Sequence, residues 1–310
     1  MGTYVITGSA SGIGAATVEL LHRAGHHVVG VDLHDADVIA DLATVDGRAH
    51  ALAELSRCTP DGLDGAVVAA GIGPHERPLE RILAVNFFGA LAIVDGVAGP
   101  IADTGGAAVV VCSNSAGITP VDDLAFFEPL VAEDEPAALA RVGELEGELL
   151  GAMVYGASKL AVGRAVRSRA AGWGSVGARL NAVAPGPVMT PLLQGSYDDP
   201  ELGPLVDALP VPWGEPPSAP GDIARIIEFL LSPASAPVHG SVLFADGGTD
   251  ALLRPDHVLG RVTSQPGAGS SGTQAAAPSK KSSTRSFAEI DWLVGPVMIS
   301  SRGAVVPAQV

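Results

Sequence analysis

The sequence predicts an α/β fold, a doubly wound parallel sheet in a single domain, followed by a mostly disordered C-terminal tail. Three observations predict it. Short apolar runs at 3–7, 28–32, 65–70, 107–112, 178–184 and 241–245 alternate with helix-like segments at about 12–24, 47–57, 79–99, 152–172 and 221–231. Such runs, bounded by glycine and separated by helices, are the pattern of strands buried on both faces. The first run leads directly into a glycine-rich turn. Beyond Arg261 the composition changes to QPGAGSSGTQAAAPSKKSST, too poor in apolar groups to form a core. The expected division is a domain over 1–258 and a low-complexity tail over 259–310. The last stretch, FAEIDWLVGPVMISSRGAVVPAQV, is apolar again and has no assigned role.

The first strand, Thr3–Thr7, runs into Gly8-Ser9-Ala10-Ser11-Gly12-Ile13-Gly14 and then into a helix ending near Gly25. A glycine turn between strand and helix brings backbone N–H groups close to a bound pyrophosphate, and the helix N-terminus adds partial positive charge. The second strand, from Val28, ends at Asp32. An acid about 20 residues beyond the turn suits a ribose 2′-hydroxyl in a Rossmann-type sheet. A carboxylate there repels a 2′-phosphate, and the turn carries no Arg or Lys to neutralise one. NAD is therefore expected over NADP, with His34 as the group that would weaken the preference if charged.

Lys159 is the only lysine in the first 279 residues, and it follows Tyr155 by four positions in Tyr155-Gly156-Ala157-Ser158-Lys159. That spacing places both on one helix face. A cation beside a phenol favours phenolate, so Lys159 is expected to lower the Tyr155 pKa and make it an acid/base group usable near neutral pH.

With these residues in place, the chain resembles the short-chain dehydrogenase/reductase family from residue 1 to about 257. The motifs that carry the likeness are T-G-x-x-x-G-I-G (7–14), Asn86 in VNFFG, Y-x-x-x-K (155–159) and P-G-x-x-x-T (185–190), in family order. The stretches 25–48, 169–186 and DGGTDALLRP (246–255) are most similar to the bacterial 3α-hydroxysteroid dehydrogenase/carbonyl reductase branch. The resemblance implies an enzyme that interconverts an apolar secondary alcohol and its ketone with NAD, 3α-hydroxysteroids being the sharpest choice. It implies Tyr155 as the proton-transfer group and Lys159 as its partner and holder of the nicotinamide ribose. Asn86 would stand beside a water that links the lysine to solvent. The serine that polarises the substrate oxygen falls in Cys112-Ser113-Asn114-Ser115. Ser113 is the first choice and Ser115 the second, while counting from the following glycine selects Asn114.

The same resemblance extends the coenzyme pocket. Gly8, Ser11, Gly12, Ile13 and Gly14 would meet the pyrophosphate, and Asp32 and Leu33 the adenosine ribose. Asp41 and Leu42 would lie near the adenine, and Ala69-Ala70-Gly71, where the family more often has N-A-G, would line the next turn. Val188 and Thr190 would meet the nicotinamide carboxamide. The alternatives are a non-catalytic NAD-binding sensor or scaffold of the same fold, and an NADP-dependent carbonyl reductase.

The net charge is −16. Residues 261–310 hold Arg261, Lys280, Lys281, Arg285 and Arg302 against Glu289 and Asp291, a balance of +3, which leaves −19 on the first 260. Such a domain repels nucleic acid and anionic membrane surfaces. No apolar run of membrane-spanning length and no leader is read from the sequence. Cys58 and Cys112 form no disulfide framework, which points to a reducing cytoplasm. The eight histidines form no metal-ligand cluster, so no metal is expected. The family implies a homodimer or homotetramer. Two segments interrupt the pattern. The acidic stretch 116–151 is either a pocket wall, an altered subunit contact or a surface elaboration, and the proline-rich loop 190–217 reads as a lid.

Overall fold

The computed structural model describes residues 1–119 and 124–256. The tail from 259 lies outside them. The elements are, in order, β1 (Thr3–Thr7), α1 (Gly12–Arg23), β2 (His27–Asp32), β3 (Val38–Ile39), α2 (Val45–Cys58), β4 (Gly65–Val68), α3 (Glu80–Leu83), a π turn (Ala84–Gly89), α4 (Ala90–Ala102), β5 (Ala107–Val111), α5 (Ser115–Ile118), α6 (Leu124–Val131), α7 (Glu135–Gly143), α8 (Leu150–Ser175), β6 (Arg179–Pro185), α9 (Pro191–Asp198), α10 (Gly203–Asp207), α11 (Pro220–Leu231), β7 (Val242–Ala245) and α12 (Thr249–Leu253).

All seven strands are parallel, in the order β3-β2-β1-β4-β5-β6-β7. The chain order reverses between β1 and β4, and the crevice beyond the strand ends at such a reversal is where open α/β sheets bind ligands. The central strands read as unbroken small apolar runs because both faces are covered. Val5, Ile6, Ala66, Val67, Ala108 and Val109 are fully buried. On one face α1 and α11 close a core of Ile6, Leu21, Val67, Val109, Val183, Ile223 and Ile227. On the other lie α2, α4 and α8.

The helical run Glu80–Ala102 corrects the reading that no apolar stretch reaches membrane length. By length and hydropathy it qualifies, and 72 % of its apolar window is buried in the domain, as in a core helix. The described residues of segment 116–151 form short helices, in keeping with the helical character of part of that sequence. Phe126, Leu130, Ala138 and Val142 are buried, and the ion pairs of Arg169 with Asp95 and Glu133 and of Arg48 with Glu135 tie it to the domain. The 190–217 loop carries two helices, α9 and α10, joined and followed by irregular chain. Thr190 accepts the Leu193 N–H at 3.2 Å, and Pro191 supplies the first helical residue, a combination that nucleates α9.

Candidate active site

The turn after β1 has no room for a side chain at Gly8 or Gly14. A Cβ at Gly14 would stand 2.0 Å from the Gly8 carbonyl oxygen, and one at Gly8 2.8 Å from the Ala70 nitrogen. Gly8 and Gly12 have φ of 70° and 53°, which glycine adopts without strain. The turn leaves a backbone-lined cradle at the N-terminus of α1. Asp32 borders it from β2. One carboxylate oxygen accepts the Ala10 N–H at 2.9 Å and the other accepts the Leu33 N–H at 2.7 Å, so two backbone donors fix its orientation. From β1, Thr7 accepts the Ala69 and Ala70 N–H groups on its hydroxyl, at 3.2 and 3.1 Å. That hydroxyl anchors the 69–71 turn where the family's asparagine is missing. Further along, Asp41 pairs with Arg81 at 3.1 Å.

These groups line one end of a continuous cleft of about 400 Å³ along the carboxyl edge of the sheet. Ser113, Tyr155 and Lys159 line its middle. The far wall is apolar, with Leu192 and Leu193 from α9, Leu202, and Leu205 and Val206 from α10. Of residues 116–151, Thr119 lines the cleft among those described.

Ser113 and Tyr155 both line the cleft, and the Ser113 hydroxyl acts to lower the pKa of the phenol. The Ser113 hydroxyl accepts the Ser115 hydroxyl at 2.8 Å and the Ser115 N–H at 3.2 Å. Asn114 is buried, with its N–H on the Pro185 carbonyl at 2.9 Å and its side-chain nitrogen buried without a partner. Lys159 donates to the Val111 carbonyl at 3.0 Å, and its ammonium lies 5.8 Å from the Tyr155 ring centroid.

The charge states differ from the sequence expectation. Burial pushes the Tyr155 phenol up to about 12, the hydrogen bond from Ser113 opposes that rise, and the neighbouring Cys112 adds to it. Burial also lowers the Lys159 pKa. The lysine is therefore not what sets the phenol's acidity in this arrangement. Its ammonium is directed at a carbonyl, and loss of water outweighs the cation.

A protein from Comamonas testosteroni, the 3-alpha-hydroxysteroid dehydrogenase/carbonyl reductase, is 43% identical over 258 residues, covering 82% of this chain and 99% of that protein. This chain belongs to the short-chain dehydrogenase/reductase family. Residues 139–250 also match the family described as enoyl-(acyl carrier protein) reductase. A 2,5-dichloro-2,5-cyclohexadiene-1,4-diol dehydrogenase from Sphingobium indicum is 32% identical, covering 81% of this chain and 97% of its own. Among solved structures, the 3-alpha-hydroxysteroid dehydrogenase from Pseudomonas sp. B-0831 complexed with NADH superposes with a TM-score of 0.76 at 42% identity. That alignment covers 82% of this chain and 99% of the other.

Gly8, Ser11, Gly12, Ile13, Gly14, Asp32, Leu33, Asp41, Leu42, Ala69, Ala70, Gly71, Val188, Thr190, Ser113, Ser115, Tyr155 and Lys159 all border the cleft. Asn86 stands behind it in the π turn. Its side chain accepts the Ile72 N–H at 2.8 Å and donates to the Ile72 carbonyl at 3.0 Å, so in this structure it braces the loop after Gly71. Arg81 and the apolar residues of α9 and α10 were not foreseen. Arg81 carried no signal, because its place depends on how the 72–80 loop folds. The Leu192-Leu193 pair followed a readable Thr-Pro helix start.

A bound NAD is compatible with this cleft. The Gly8–Gly14 cradle, closed to a Cβ at Gly8 and Gly14, offers backbone N–H groups to a pyrophosphate. The Asp32 carboxylate, held by two N–H groups, has lone pairs left for a ribose diol.

Proposed function

We propose that this protein is an NAD-dependent dehydrogenase/reductase that interconverts an apolar secondary alcohol and its ketone, with 3α-hydroxysteroids as the substrate class. The observation that carries this reading is that Ser113, Tyr155 and Lys159 line one cleft together with the glycine cradle and the apolar wall of α9 and α10. The names and high coverage of the relatives from Comamonas testosteroni and Pseudomonas support the steroid choice.

When bound, NAD supplies or accepts the hydride at the carbonyl carbon. The chain's own residues do the rest. Gly8, Ser11, Gly12, Ile13 and Gly14 hold the pyrophosphate, and Asp32 with Leu33 holds the adenosine ribose. Asp41, Leu42, Ala69, Ala70 and Gly71 border the adenine side. Val188 and Thr190 border the nicotinamide side, and Lys159 takes the ribose beside Tyr155. The hydroxyl hydrogens of Ser113 and Tyr155 converge on a ketone oxygen. In reduction Tyr155 donates its proton to that oxygen; in oxidation its phenolate takes the proton from the alcohol. Ser113 holds the oxygen as charge develops on it. Ser115 orients Ser113 through the bonds already described. Asn86 keeps the 71–72 loop against Lys159.

A cytoplasmic homodimer or homotetramer acting in steroid metabolism is the accompanying reading, supported by the unpaired Cys58 and Cys112. The test is a coenzyme-coupled screen of hydroxysteroids and other secondary alcohols, run with NAD and with NADP. Reduced coenzyme should form with NAD and a 3α-hydroxysteroid. Absence of turnover with every secondary alcohol and ketone would refute the enzyme reading.

A further inference from the structure

The DGGTDALLRP ending contributes no residue to the roles above, yet it contains an ion pair between the buried Asp250 and the partly buried Arg254. Asp246, 6% exposed, accepts the N–H groups of Gly248 at 3.0 Å and Asp250 at 2.7 Å. The chain therefore turns sharply after β7 and starts α12. Asp250, 4% exposed, then meets Arg254 one helical turn on. The Arg254 Nε donates to Asp250 Oδ1 at 2.8 Å, and its Nη2 donates to the same oxygen. The guanidinium lies over the Phe244 ring, 5.7 Å from its centroid. Neither residue borders the cleft.

What the pair touches is α5. A Cβ at Gly117 would stand 2.3 Å from Arg254 Nη2 and 2.6 Å from Asp250 Oδ1. The backbone of α5 thus rests directly on the ion pair. That backbone is tied to Ser113. Ala116 N–H donates to the Ser113 carbonyl at 3.1 Å and Gly117 N–H to the Asn114 carbonyl at 2.8 Å. On the opposite side, Thr119 fills the space over Gly156, where a Cβ would be 2.4 Å from it. Gly156 follows Tyr155 in α8. The turn that carries Ser113 is held between the Asp250–Arg254 pair and the helix that carries Tyr155.

We propose that Asp250 and Arg254 are positioning residues for the reaction: their ion pair seats the Ser113–Thr119 turn against α8 and so sets where the Ser113 hydroxyl stands relative to Tyr155. Removing Arg254 leaves a buried carboxylate without its counter-charge, which is strongly unfavourable. The turn resting on it shifts in response. Displacement of a reacting group by about 1 Å is enough for about a hundredfold loss of rate. The inference rests on the catalytic reading of Ser113 and Tyr155.

The first test does not need turnover. With the tyrosine ζ carbons labelled with carbon-13, the Tyr155 resonance is assigned by its loss in Tyr155→Phe. Its position without the serine hydroxyl is taken from Ser113→Ala. Arg254→Ala should move the resonance toward the Ser113→Ala position, and Arg254→Lys should move it less. Gly117→Ala, which pushes the same contact from the other side, should also move it and decides the question if Arg254→Ala does not fold. A resonance unmoved in folded variants would overturn the proposal. The second test uses the ketone assay. Here kcat should fall about ten- to a hundredfold while the NADH dissociation constant stays unchanged. Folded variants that keep the kcat of the unaltered protein would also overturn it. If the unaltered protein turns over no ketone, the functional reading fails on its own account, and the resonance comparison still decides this one.

Discussion

Ser115 supplies two donors to the Ser113 oxygen, its hydroxyl at 2.8 Å and its N–H at 3.2 Å, and the Ser113 hydroxyl in turn lowers the pKa of the Tyr155 phenol. This relationship singles out Ser113 among the three neighbours. Asn114 is buried with its N–H on Pro185, and Ser115 faces Ser113 rather than the phenol. Ser113→Ala is expected to lower kcat for ketone reduction by about 10²–10³, the loss of one oxyanion donor. Tyr155→Phe removes the proton itself and should cost about 10²–10⁴. Ser115→Ala should cost less than Ser113→Ala. Steady-state rates followed by coenzyme absorbance check the order, and a Ser115→Ala effect larger than that of Ser113→Ala would reverse the assignment.

The raised phenol pKa predicts opposite pH dependences for the two directions. With Tyr155 pushed up to about 12, chiefly by burial, the phenol is protonated at neutral pH. Reduction uses that form and should be level through the neutral range. Oxidation needs the phenolate, so its rate should climb with pH, about tenfold per unit below the pKa. Stability follows from the same shift. The folded chain holds the proton more tightly than the unfolded chain, whose tyrosine titrates near 10. The stabilisation is present in full below about pH 10 and is lost as pH rises through about 12. Losing the Ser113 bond removes an influence that lowers the pKa, so Ser113→Ala should move the oxidation profile to higher pH. Initial rates in both directions across the alkaline range test this.

Much of the sheet was legible because its strands are buried on both faces. A strand such as Ala107–Val111 has no polar side to interrupt the apolar run. The two-residue strand Val38–Ile39 is too short to show any period. The π turn at Ala84–Gly89 has no composition of its own, so the reading of one continuous helix missed it. In 190–217 the many prolines mask the Thr190-Pro191 start signal of α9. Positions in the cleft were readable from spacing, but ionisation was not. The state of Tyr155 depends on which atoms surround it, and the spacing Tyr-x-x-x-Lys says nothing about the Val111 carbonyl that takes the ammonium.

The two N–H bonds to Asp32 predict how the coenzyme preference can be altered. Both oxygens are anchored, so the carboxylate cannot swing aside to admit a 2′-phosphate. Asp32→Ala removes the ribose acceptor and the repulsion together. Hydrogen bonds to a charged group contribute about 1.5–3 kcal/mol, so NAD should bind at least about tenfold more weakly. NADP should lose less or gain. Dissociation constants from calorimetry with each coenzyme measure this, and an unaltered protein that binds NADP more tightly than NAD would contradict the role given to Asp32.

Arg169 makes a last, separate prediction about the 116–151 segment. Its guanidinium grips two carboxylates bidentately. Asp95, on α4, accepts at 2.7 and 2.9 Å, and Glu133, just after α6, accepts at 2.7 and 2.8 Å. Those bonds, Asp95 first, raise the guanidinium pKa. Glu133 has φ of 57°, a left-handed backbone that a non-glycine residue adopts at a cost. The arginine therefore holds a strained corner as well as two charges. The carboxylates are 55% and 41% exposed, so water screens much of the attraction and the pair energies are those of surface ion pairs, about 0–1 kcal/mol each. Arg169→Ala should destabilise the domain by about 1–2 kcal/mol, counting both pairs. Arg169→Lys should recover less than half, because an ammonium cannot form two bidentate forks. Added salt should shrink the difference. Because Arg169 does not border the cleft, kcat should stay unchanged. Urea unfolding at low and high salt, followed beside the rate assay, decides it. A loss of kcat without loss of stability would show that the segment acts on the reaction and not on the fold.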